Sequence, residues 1–88
     1  MLAVILRIEG RRDETADKLF QRFKSTEGVV ATYQLEGVDN PNDLVTFTVW
    51  KDEASRMKYM NESPLKKEVD RAWSKQTRTV YTVRDSKA

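Results

Sequence analysis

The chain has 88 residues, with 16 Lys and Arg against 14 Asp and Glu, a net charge of +2, and neither cysteine nor histidine. That length supports one small domain, 1–88, and the interspersed, nearly balanced charge lacks the basic block that nucleic-acid binding needs. Without cysteine or histidine, disulfides, thiolate metal sites, a histidine base and a proximal heme histidine are all excluded, and with them Ser-His-Asp and Cys-His nucleophiles.

Leu2–Ile8 alternates as a first strand, sending Leu2, Val4, Leu6 and Ile8 one way and Ala3, Ile5 and Arg7 the other. The apolar run is only a few residues long and meets Arg7 and Glu9, so it is neither a membrane span nor a signal peptide. A soluble, cytoplasmic protein is expected. A polar break at Gly10–Asp13 precedes a helix predicted over Glu14–Thr26, whose apolar stripe is Ala16, Leu19, Phe20 and Phe23. Asp13, Glu14 and Asp17 suit its positive end, and Gly28 can stop it.

Val29–Gly37 reads as a second strand, with Val29, Ala31, Tyr33 and Leu35 on one face. The turn cluster Val38–Asp43 joins it to a third strand, Leu44–Trp50, as a hairpin. Asp52 is a good N-cap for a helix over Glu53–Asn61, and Ser63-Pro64 supplies a fresh cap with proline at the first helical position. The helix that follows is predicted to reach Lys75 on a stripe of Leu65, Val69, Ala72 and Trp73; Thr77–Arg84 is the last strand.

The order is β-α-β-β-α-β with the second helix broken near Asn61–Pro64. This is an α+β, ferredoxin-like arrangement: a four-stranded antiparallel sheet with helices on one face. Counting alternation straight through puts Ala3, Ile5, Val30, Leu44 and Val80 on the uncovered face. A small monomer rarely leaves such a surface wet, so a homodimer through that face is expected.

Trp50 is the leading candidate site residue, because it ends a strand where a helix departs and carries one N–H donor. A strand-end indole can equally plug the gap between sheet and helix. Arg7 interrupts an apolar strand and needs a partner or a wet cavity. On one face with Thr46, Thr48 and Trp50 it would line a pocket for a flat, oxygen-bearing ligand, stabilising an enolate or phenolate. The plainer reading is an ion pair to Glu9, Glu36 or a partner subunit. Tyr59, Met57 and Met60 sit at helical spacing beside the Asn61–Pro64 break, as core or as pocket wall. Trp73 and Phe23 are read as core; Arg11-Arg12 and Lys66-Lys67 as solvated faces.

The segment "TVWKDEASRMKYMNESPLKKEV" resembles the dimeric α+β barrel group that contains the antibiotic biosynthesis monooxygenase domains and the heme-degrading monooxygenases. The matching positions are Val49-Trp50, Asp52-Glu53-Ala54 and Ser63-Pro64-Leu65-Lys66. Trp50 matches the tryptophan that lines the pocket in active members. The heme-degrading branch has asparagine and histidine where this chain has Arg7 and about Asp70, which argues against heme. The quinone-forming branch has asparagine four residues before the tryptophan; here it is Thr46.

The resemblance implies oxygenation of a small aromatic or enolisable compound without metal, flavin or other cofactor. In that scheme Trp50 and Arg7 are catalytic, while Thr46, Thr48 and Tyr59 bind substrate. The alternative is a non-catalytic small-molecule-binding or stress-related dimer on the same scaffold. RNA-recognition domains share the element order but carry a glycine- and aromatic-rich third strand, and "DLVTFTVWK" has no glycine.

Overall fold

The computed structural model describes residues 1–9, 14–73 and 75–87. In chain order the elements are β1 (Leu2–Ile8), α1 (Glu14–Phe23), β2 (Val29–Glu36), β3 (Leu44–Trp50), α2 (Glu53–Glu62), α3 (Pro64–Ala72) and β4 (Gln76–Thr82). The strands form one antiparallel sheet in the order β2-β3-β1-β4, as expected for a ferredoxin-like chain. The expected break at Gly10–Asp13 and the Arg11-Arg12 pair lie outside the described residues.

Local chemistry accounts for most boundaries. The Asp52 carboxylate accepts from Ser55 N–H at 2.8 Å and starts α2. Ser63 closes α2 and opens α3 at once: its N–H donates to the Tyr59 carbonyl at 3.2 Å, and its hydroxyl accepts from Leu65 N–H at 3.2 Å. Pro64 occupies the first position of α3, where no N–H is needed. β2 and α2 depart from their expected ends by one residue, and three elements by two or more. After Phe23 the chain tightens to bonds three residues apart (Ser25 N to Arg22 O, Thr26 N to Phe23 O), so α1 stops short of Thr26. Trp73 turns extended at φ −133, ending α3 before Lys75. Pairing with β1 sets β4, because Ile8 faces Gln76 and Leu2 faces Thr82.

Gly28 makes the α1–β2 corner at φ +90, a conformation that side chains resist. A Cβ there would sit 2.3 Å from the Ser55 Cβ. Its carbonyl accepts from Lys51 N–H at 2.9 Å, so the corner also fixes the point where β3 gives way to α2.

Register decides which side chains the helices cover. Leu6 pairs with Thr46 and Arg78, and Val4 with Thr48 and Val80, so these residues share the helix-covered face. Arg7 pairs with Val45 and Thr77 on the opposite face. The expected union of Arg7 with Thr46, Thr48 and Trp50 is therefore corrected. Arg7 instead makes an ion pair with Asp43 at 3.4 Å.

The expected open face needs correction too. Leu44 lies under the helices and is 2% exposed, clustering with Ala16, Leu19, Leu65 and Trp73. Val80 also faces the helix side. A register irregularity between Val29 and Ala31 puts Val30 out of the ladder, so Ala31, Tyr33 and Leu35 share the open face without Val29. The open face thus carries Ile5, Tyr33, Leu35, Val45, Phe47 and Val49. It remains strongly apolar: Tyr33 is 56% exposed, Leu35 48%.

Lys66, expected to be solvated, is buried. Its ammonium donates to both Asp70 carboxylate oxygens, at 2.6 and 2.5 Å, and the Gln76 amide adds a third bond at 3.0 Å. Burial works against the Asp70 charge, but these hydrogen bonds hold its carboxyl below the usual value. The network ties α3 to β4.

Candidate functional site

Between the sheet and the three helices lies a cavity of ≈ 90 Å³. Its floor is the helix-covered face of the sheet, including Val4, Leu6, Thr46 and Thr48; α1 and α2 contribute Phe23, Arg56 and Tyr59. Three aromatic rings close one end. Phe23 meets Trp50 edge-on at 5.8 Å and Tyr59 edge-on at 5.2 Å, while Trp50 and Tyr59 are tilted at 5.5 Å. Such offset and edge contacts are the favoured geometries for aromatic pairs. They exist because Trp50 ends β3 beside the Gly28 corner, and Tyr59 projects from the last turn of α2.

Trp50 is buried as a residue; its indole N–H makes no hydrogen bond among the described residues but is not fully closed off. The Tyr59 phenol is likewise without one. Burial raises the Tyr59 pKa to about 12; the nearby Arg78 charge pulls it down and Asp70 pushes it up. At neutral pH Tyr59 is therefore a neutral donor. Thr48 is buried and its hydroxyl is hydrogen-bonded to that of Thr32 at 2.9 Å. Thr46 lies between Leu6 and Gln34 in the sheet.

Four of the five expected site residues, Trp50, Thr46, Thr48 and Tyr59, line this cavity; Arg7 does not. Met60 lines it as well, whereas Met57 is exposed. Three polar residues were missed: Gln34, Arg56 and Arg78. The signal for Arg78 was the antiparallel ladder, in which it sits beside Leu6 as Leu6 sits beside Thr46. No acidic side chain is among the described lining residues, and no group of acids there is arranged to hold a metal. The site is a greasy hollow with an aromatic end, hydroxyls on its floor, one amide from Gln34 and two guanidinium groups, with no carboxylate among the described lining residues. That composition suits a flat ring bearing an oxygen anion.

No protein-family model matches the sequence, and no curated protein matches it. Solved structures do. The cofactor-independent oxygenase SnoaB from Streptomyces nogalater superposes with a TM-score of 0.77 at 20% identity, covering 97% of this chain and 94% of that one. This chain has the same fold as that oxygenase. Rv0793 from Mycobacterium tuberculosis matches with a TM-score of 0.84 at 18% identity, covering 99% of this chain and 98% of its own. A protein described as an antibiotic biosynthesis monooxygenase gives 0.70 at 16%, covering 94% of this chain and 98% of that one. Among the described residues no helix is long and apolar enough to cross a membrane.

Proposed function

We propose that the protein is a small homodimeric monooxygenase that oxidises an aromatic or enolisable compound with molecular oxygen and no added cofactor. The observation that carries the reading is the aromatic end of the cavity, where the Trp50 and Tyr59 rings pack at 5.5 Å and each carries a donor with no hydrogen bond among the described residues. The likeness to SnoaB supports the class of chemistry.

The substrate enters as, or becomes, its enolate or phenolate. The anion passes an electron to oxygen; the substrate radical and superoxide combine to form a C–O bond. Protonation gives a hydroperoxide, and loss of water leaves a carbonyl, so that a CH2 group plus O2 yields C=O plus H2O. The protein's part is to bind, dehydrate and stabilise the anion. Preorganised donors aimed at developing charge lower such barriers in a dry site. Trp50 and Tyr59 supply those donors, and the Thr46 and Thr48 hydroxyls orient the ring. With no carboxylate or imidazole in the lining, the substrate's first proton leaves to water. Arg7, on the other face, has no part in this scheme.

The open sheet face, with Tyr33 and Phe47 at its centre, is covered by a second copy in this reading. Incubation of enolisable phenols and quinols under air and under nitrogen tests the activity. Oxygen uptake with a metal chelator present is expected, one O2 per carbonyl formed, slowed about a hundredfold in Trp50→Phe by loss of one donor. Equal turnover in both proteins would remove Trp50 from the mechanism. Ligand stabilisation without oxygen uptake would leave a binding protein only.

A further inference from the structure

Arg78, like Gln34 and Arg56, is a polar lining residue that the proposed chemistry does not use. It lies on β4 in the row Gln34, Thr46, Leu6, Arg78 across the sheet. Trp50 is four residues along β3 from Thr46, about 13 Å at 3.3 Å per residue. The backbone of the Arg78 row is thus set back along the sheet from Trp50, while the Arg78 charge still acts on the Tyr59 phenol through space.

Arg78 is half-buried and has no acid within ion-pair distance among the described residues. The carboxylate that acts on it through space, Asp70, is already engaged by Lys66 and Gln76. The other cation in the lining, Arg56, is taken by Glu53 at 2.7 Å. A half-desolvated guanidinium left without an anion is a ready fork for a carboxylate. Its place also suits recognition on entry. Val80 faces the helix side yet is 40% exposed, so the helices leave the inner side of β4 open next to Arg78.

We propose that Arg78 is a specificity-determining residue that selects aromatic substrates carrying a carboxylate on the side of the molecule away from the reacting ring. This rests on the cavity being the substrate site, but not on oxygenation taking place there. The ring occupies the Trp50 end, and the carboxylate reaches back along the floor to the guanidinium at the mouth.

Calorimetric titration of the full chain with two probes tests it: 6-hydroxy-2-naphthoate, which carries the carboxylate opposite its hydroxyl, and 2-naphthol, which lacks it. Wild type is expected to bind the acid about tenfold more tightly, the scale of one partly exposed charge-assisted contact. Arg78→Gln should abolish that preference while leaving 2-naphthol affinity unchanged, Arg78→Lys should retain part of it, and Arg7→Gln should retain all of it. Equal affinity of wild type for both probes would overturn the inference. So would a preference that survives Arg78→Gln, or failure of wild type to bind either probe. Oxygen uptake is read separately: selectivity without uptake refutes the oxygenase and leaves this assignment standing, and uptake without selectivity does the reverse.

Discussion

Phe47→Asp is expected to convert the protein from a dimer to a folded monomer, read by sedimentation or by size exclusion with light scattering. Phe47 sits mid-strand on the open sheet face, paired with Ile5 and Tyr33, and its ring lies 6.2 Å from that of Tyr33. Among the described residues of one protomer nothing covers this face: Ile5 is 36% exposed and Tyr81 50%. A carboxylate there costs the isolated fold little. In a two-fold interface the same substitution appears twice and buries two uncompensated charges, at several kcal/mol each. A wild-type protein that is already monomeric would refute the dimer, and a Phe47→Asp variant that stays dimeric would place the interface elsewhere.

Leu44→Ala is expected to cost about 2–5 kcal/mol of unfolding free energy, the usual range for a fully packed leucine. Leu44 is 2% exposed and sits where β3, α1 and α3 converge with Ala16, Leu19, Leu65 and Trp73. For a domain of this size a total stability of roughly 4–13 kcal/mol is ordinary, so the variant should lose a large share of it. Chemical unfolding followed by circular dichroism at fixed protein concentration measures the change. The result also separates the two faces: a residue on the open face would weaken association and leave protomer stability almost untouched. A loss below about 1 kcal/mol would contradict the packing described for Leu44.

Leu2–Ile8 and Leu44–Trp50 were legible to the residue, because alternation over seven positions leaves little freedom. The caps Asp52 and Ser63-Pro64 were legible because each is a local bond between neighbours in sequence. Faces were harder. In the β1–β3 ladder even residues face even ones, as Leu2 faces Trp50, so Arg7 and Thr46 can never share a side. That parity belongs to the pairing and not to either strand alone, and the same parity brings Arg78 into the cavity. The irregularity after Val29 has no mark in the sequence. Lys66 and Asp70 stand at a spacing that announces a helical pair, but the burial of Lys66 depends on β4 closing over α3. Trp50 was found from its place at a strand end and Tyr59 from its place beside the Asn61–Pro64 break; their contact with each other and with Phe23 required three elements to meet.

The measurement that bears most directly on the site is a crystal structure of the protein grown with 2-naphthol. The expected density is a two-ring system under the helices, packed on Trp50 within about 4 Å, with its hydroxyl near the Trp50 N–H and the Tyr59 phenol. A hollow that stays empty while the naphthol occupies the open sheet face, or no site at all, would contradict it.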